Sequence, residues 1–189
     1  MNSIFGANLP DLKHEIAQQR PFSSLAEEAL LNLMRTADCV GRTMQRATKQ
    51  WGVTSTQYNV LRILRGAAPA GLTCSAIGDR MITADPDITR LLSRLKTLKL
   101  VRQQRDRRDR RVVWTHIAPA GLELLAEMDP MISRAPGEML GHLNESELVE
   151  FVRLLELARM PCPDSAIQVT CDRSGDGSGI TCDGTASAT

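Results

Sequence analysis

The stretch DITRLLSRLKTLKLVRQQRDRRDRRVVWTHI, residues 87–117, carries two periodicities in succession, and the point where they meet decides the fold. Up to Lys99, Ile88, Leu91, Leu92, Leu95 and Leu98 recur at the three-and-four spacing of a helix with one apolar face. Thr89, Arg90, Ser93, Arg94, Lys96 and Thr97 fall on the other face. Asp85 before Pro86 reads as the N-cap, with proline at the first helical position, where its missing N–H is harmless. From Leu100 the period becomes two: Val101, Gln103 and Arg105 alternate with Arg102 and Gln104. The polar run Asp106-Arg107-Arg108-Asp109 then makes a tip, and alternation resumes through Val112, Trp114 and His116 to Ile117. This predicts a β-hairpin directly after a helix.

Working outward, Thr73 opens a short helix with Ala76, Ile77 and Met81 inward, and a helix from about Thr54 to Arg65 precedes it, with Gly66, Pro69 and Gly71 breaking the chain between them. Before Gly52, residues 23–50 form a long helical pattern capped by Ser23 or Ser24, with Glu27 at capping-box spacing from Ser24. Leu30, Leu33, Met34, Ala37, Val40, Gly41, Met44 and Ala47 predict one buried face along it. Beyond the hairpin, Pro119 and Gly121 precede helical patterns from Gly121 to about His142 and from Glu145 to Met160, the latter with Asn144 as cap and Glu147 three residues on. Leu148, Phe151, Val152, Leu154, Leu155 and Ala158 make that last helix too apolar to stand alone, so it needs a surface to bury against. Residues 162–189 contain no Leu, Met or aromatic residue and are dense in Gly, Ser, Thr and Asp, which predicts a disordered tail. The fold class expected is mainly α with a small β-hairpin. Its parts are an arm over 1–22, an N-terminal helix over 23–52, a helix-helix-hairpin module over 53–119, C-terminal helices over 120–161 and the tail.

Composition agrees. Of 189 residues, 42% are hydrophobic but only 3% aromatic, so the core must come from Leu, Ile, Val, Ala and Met, which favours helices. Neither a run of 18 apolar residues nor a signal-peptide pattern is present, and a cytoplasmic protein is expected. Five cysteines without CxxC spacing argue against a disulfide scaffold or a zinc ribbon and read as free thiols. The net charge of +1 conceals a strong asymmetry. Between Arg90 and Arg111 stand ten basic residues and two acidic ones, a local +8 that leaves −7 for the remainder. Such a stripe is the electrostatic footprint for a polyanion.

Two short helices, the second with a polar free face, followed at once by a basic hairpin, are in the order of a winged helix-turn-helix. A helix fits the major groove of B-DNA, and an arginine-tipped hairpin reaches the narrower, more negative minor groove beside it. Duplex DNA is therefore the expected partner.

With these residues in view, the chain resembles the MarR family of small dimeric transcription regulators. Thr89-Arg90-Leu91 matches the family's recognition-helix motif and Asp109-Arg110-Arg111 its wing motif. The wing exit reads Ile117-Ala118-Pro119-Ala120-Gly121, with Ala118 where the family has a threonine. Flanking helices extend the resemblance over about residues 23–160. It implies that Thr89, Arg90, Ser93 and Arg94 face base edges or phosphates. Arg108, Arg110 and Arg111 become wing contacts, and Asp109 either orients one arginine by a bidentate pair or only stiffens the hairpin. Asp87 either accepts from a cytosine amino group or favours the positive helix end. The resemblance also implies a homodimer built from residues 11–35 and 122–160, a repressor meeting a pseudo-palindromic operator with half-sites about one helical turn apart.

Family members often respond to small aromatic or anionic effectors, for which Met34, Cys39, Arg42, Met44, Trp51 and Tyr58 are the candidate lining residues, ordinary core packing being the other reading. Some relatives sense oxidants, which makes Cys74, after a helix cap, and Cys39, mid-helix, alternative thiol sensors or quiet thiols. His14, His116 and His142 lack paired ligand spacing, so neither metal nor cofactor is expected. No nucleotide loop, nucleophile elbow or HExxH is present, so no enzymatic activity is expected either. A protein-interaction module whose wing binds an acidic partner is the remaining alternative.

Overall fold

The computed structural model describes residues 11–85 and 87–160; the tail 162–189, Pro86 and the first ten residues of the N-terminal arm lie outside the described residues. The chain divides into two compact units, one through Ser55 and one from Thr56.

The first unit holds α1 (Leu12–Glu15) and the long α2 (Leu25–Lys49). Ser24 caps α2 by accepting from the Glu27 N–H. The Glu27 carboxylate returns to the backbone N–H and hydroxyl of Ser23, so both serines share the cap. Arg35 of α2 pairs with Glu15 at the end of α1 at 3.2 Å. The face of α2 expected to be buried is open in the single chain. Leu30 is 57% exposed and Met34 61%, Leu33 and Val40 are exposed as well, and Thr48 is the only buried residue of the helix. The apolar period is sound, but within the described part of its own unit that face is not covered.

The second unit takes all of α3 (Ser55–Gly66) but its first residue, followed by α4 (Cys74–Gly78) and α5 (Ile88–Thr97). Thr73 caps α4 by accepting from the Ala76 N–H. The cap of α5 is Asp87, which accepts from the Arg90 N–H at 2.9 Å, while Asp85 accepts from the Asp87 N–H at 2.8 Å. The expected Asp85 cap is thus displaced by two residues: two successive aspartates each satisfy an N–H further on, and the helix starts where the second one reaches. Leu91, Leu92 and Leu95 are buried; Leu98, expected on the same face, is the C-cap and half-exposed, because Lys99 leaves the helix at φ 60.

Strands β1 (Val101–Arg105) and β2 (Val113–Ile117) pair antiparallel, Val101 opposite Ile117 and Arg105 opposite Val113. A third segment joins them. Leu72 exchanges both backbone hydrogen bonds with Thr115, at 2.9 and 2.8 Å, which ties the hairpin to the α3–α4 connection. Gly71 makes this possible: its φ is +74, and a Cβ there would lie 2.8 Å from the Thr115 carbonyl oxygen.

After the hairpin come α6 (Pro119–Ile132), α7 (Ala135–Leu140) and α8 (Glu145–Ala158). The single helix expected from Gly121 to His142 is therefore two, broken near Ser133 between Pro130 and Pro136, each of which removes a backbone donor. Ala118, at the N-cap of α6, makes no side-chain cap bond, as its lack of a hydroxyl requires. By contrast α8 has the full capping box, Asn144 accepting from the Glu147 N–H and Glu147 from the Asn144 N–H.

The core of this unit is formed by Val60, Leu61, Leu64, Ile77, Leu92, Leu95, Leu125 and Met128, each almost wholly withdrawn from water. Arg65 of α3 grips Asp129 of α6 with two hydrogen bonds, at 2.7 and 3.2 Å. No residue of α8 is buried, and Val149, Val152, Leu154 and Leu157 are about half exposed or more. Among the described residues no helix is long and apolar enough to cross a membrane.

Candidate nucleic-acid interface

All ten basic residues between Arg90 and Arg111 are exposed. The ion pairs among the described residues join Arg35 to Glu15, Arg42 to Asp38, Arg65 to Asp129 and Arg153 to Glu150; none uses any of the ten. A protein usually disperses or pairs such charges, so ten exposed cations without a carboxylate partner among the described residues, along α5, the link after it and the hairpin, form a strongly positive surface.

On α5, Thr89, Arg90, Ser93 and Arg94 are all exposed, opposite the buried Leu91, Leu92 and Leu95. The apolar stripe seats the helix and leaves its polar face free. Asp87 is occupied by its cap to the Arg90 N–H, the second of the two roles open to it in the sequence.

In the hairpin the inner positions Val101, Thr115 and Ile117 are buried, while Trp114 and His116 occupy the outer face, where the His116 Nδ1 lies 3.1 Å from the Pro69 carbonyl oxygen. At the tip, Arg107, Arg108, Arg110 and Arg111 are exposed. Asp109 does not form an ion pair with an arginine among the described residues. Its Oδ1 accepts from the Arg111 backbone N–H at 2.9 Å, so it shapes the loop and leaves the guanidinium groups free. A two-residue separation suits an Asx turn, in which the short aspartate side chain accepts from the backbone N–H two residues on and mimics a backbone turn.

The base of the wing and the recognition-type helix share one hollow of about 590 Å³, lined in part by Thr73, Cys74, Ser75, Thr89, Gln103 and Arg111. The Cys74 Sγ lies 4.0 Å from the Thr89 Oγ1. Thr115, whose buried hydroxyl has no hydrogen-bond partner among the described residues, lines the same hollow. Sequence reasoning passed over Thr73, Ser75 and Gln103 as site residues; a threonine cap with a serine two residues later was the available signal. It also missed Asp106, whose Oδ1 accepts from the Arg108 and Asp109 N–H groups at 2.7 and 3.0 Å. The other oxygen accepts from the Trp114 indole at 3.0 Å. The Asp109 N–H, the Arg108 N–H and the indole, in that order, hold the Asp106 carboxyl below its ordinary pKa.

The residues considered for an effector fall on both units. Met34, Cys39 and Arg42 lie exposed on α2, with Arg42 paired to Asp38 at 2.8 Å, and Met44 and Trp51 are half-buried. Tyr58 is buried on α3 beneath the Arg62 guanidinium, 5.8 Å from the ring centre, and burial pushes its phenol pKa up. Cys39 is exposed and Cys74 half-buried; the other three cysteines lie outside the described residues.

Comparison with known proteins gives this geometry a lineage. The model of the MarR family matches residues 51–112, which hold α3 through the wing tip. The crystal structure of a MarR transcription factor from Planctomyces limnophilus is 40% identical, with a TM-score of 0.57, over 72% of this chain and 99% of that one. Bordetella bronchiseptica BpsR, whose DNA binding is regulated by 6-hydroxynicotinic acid, is 26% identical with a TM-score of 0.62, over 70% of this chain and 98% of that one. The regulator MhqR of Bacillus subtilis is 26% identical over 126 residues, 66% of this chain and 84% of the relative. With a capped polar helix, an exposed arginine wing and a relative matched over nearly its whole length, the chain belongs to the MarR family of winged helix-turn-helix transcription regulators.

Proposed function

We propose that the protein works as a homodimeric repressor that seats α5 in the major groove of a pseudo-palindromic operator and its wing in the adjoining minor groove. The observation that carries this reading is the set of ten exposed basic residues from Arg90 to Arg111, none of them paired with a carboxylate among the described residues. Thr89, Arg90, Ser93 and Arg94 read bases or hold phosphates, and Arg108, Arg110 and Arg111 enter the minor groove, whose negative potential favours arginine. Residues 53–119 act as the DNA-binding module. The exposed apolar faces of α2 and α8 support dimerisation through the 23–52 and 120–161 segments, since contiguous apolar faces are rarely left open to water and mark interaction surfaces. A small aromatic or anionic effector releasing the DNA is the regulatory part of the proposal; the acid that regulates BpsR is its precedent.

Titration of the purified protein with mixed-sequence duplex DNA at several salt concentrations tests the reading. Affinity should fall linearly with salt on logarithmic axes, with a slope set by the number of phosphates neutralised. Absence of any complex at low salt would remove the DNA assignment and favour an acidic protein partner. Selection from genomic fragments then supplies the operator.

A further inference from the structure

The wing tip carries Arg107, Arg108, Arg110 and Arg111 within five residues, and their mutual repulsion favours an open, disordered loop. Asp106 opposes this from the end of β1. One of its oxygens closes the tip through the Arg108 and Asp109 N–H groups, and the other is bonded to the indole N–H of Trp114 on β2. The same carboxylate thus holds the loop and fastens it to the outer face of the opposite strand. Trp114, Gln104 and Arg105 border a hollow of about 370 Å³ on that face, so the indole bond is part of a formed surface.

We propose that Asp106 is a positioning residue for the wing arginines and that it acts through Trp114, presenting Arg108 and Arg111 in a loop already ordered before it meets DNA. The inference rests on the duplex-binding reading above. Its physical basis is that a loop ordered in advance loses less conformational freedom on binding. A hydrogen bond to an ionised carboxylate is, moreover, stronger than one between neutral groups.

The sign of one substitution separates positioning from simple electrostatics. Asp106→Asn removes a negative charge beside phosphates, so Coulomb forces alone predict tighter binding. The amide keeps a carbonyl for the tip but turns its NH2 group against the indole N–H. Positioning therefore predicts weaker binding, on the order of fivefold, the effect of about one hydrogen bond. The salt slope should stay at the parent value, because the same arginines still reach the phosphates. Trp114→Phe keeps the charge and most of the ring while deleting the donor, and should lose affinity to a similar degree. The double variant should be no weaker than the weaker single one. Affinities are referred to the folded fraction measured by circular dichroism. In NMR spectra the Trp114 indole N–H resonance, distinguished from that of the other tryptophan by Trp51→Phe, should shift in Asp106→Asn. If the parent binds and Asp106→Asn binds as tightly or more tightly, or the two losses add, the inference is overturned while the DNA reading stands. A parent that forms no complex at low salt overturns both.

Discussion

At the scale of single residues, the ten cations differ in what their loss should do. Arg108 and Arg111 are exposed on the wing, where in the proposed docking a guanidinium meets phosphate and groove potential. Arg108→Ala and Arg111→Ala should weaken binding to every sequence and lower the magnitude of the salt slope by about one each. Arg90 stands on the exposed face of α5, within reach of base edges in the proposed docking. Arg90→Ala should weaken binding and also flatten sequence preference, by about 1–3 kcal/mol at the base it reads. Competition binding between the selected operator and single-base variants measures this. Unchanged affinity and preference would show that α5 is not the reading helix. Asp109 and Asp87, both open to several roles in the sequence, bond to backbone N–H groups, which spares the arginines and the helix face for other partners.

At the scale of elements, the wing is held at both ends. Leu72 pairs with Thr115 on one side of the hairpin, and on exit the Ala118 N–H bonds to the Leu100 carbonyl. Gly121 sits against that same carbonyl; a Cβ there would collide with Leu100 O and lie 2.9 Å from the Ile117 side chain. Backbone cannot move aside as a side-chain end can. Gly121→Ala should therefore lower stability by about 1–3 kcal/mol, the usual range for overpacking, measured as a fall in the urea midpoint. An unchanged midpoint would mean that α6 can shift away from the wing without loss. The helix period, the α4 and α8 caps and the hairpin alternation were legible because each is set by neighbours within about four residues. Where α5 starts and where α6 ends were misplaced, since several residues there were competent to cap or break and local preference did not choose among them.

At the scale of the whole molecule, α8 shows a mismatch between the apolar face the chain carries and what it buries among the described residues. Val149 is 66% exposed, Val152 53% and Leu155 only half-buried, in a helix whose N-terminus is fully capped. If this face closes a dimer, Leu155→Arg places a charge where a partner helix should lie. Sedimentation should then show monomer where the parent shows dimer. The change should cost more than about 2 kcal/mol of association free energy, as expected for an unpaired charge at an interface. A parent-like oligomer would assign the interface to other residues. Operator affinity should fall with dimerisation, because two linked half-site contacts benefit from a high effective concentration.

The sequence by itself determined the helix-helix-hairpin order, the polar face of α5, the arginine wing and the family, because each rests on spacing and charge within one contiguous segment. Only the tertiary structure decided the Leu72–Thr115 pairing, the Arg65–Asp129 link between helices 64 residues apart and the bond from Asp106 across the hairpin to Trp114. It also left the apolar face of α2 uncovered, where periodicity had implied burial. The reason is common to all four. A periodic pattern tells a residue which way to face, but its partner is chosen by how distant segments pack, and by whether the surface that completes the packing lies in the same chain.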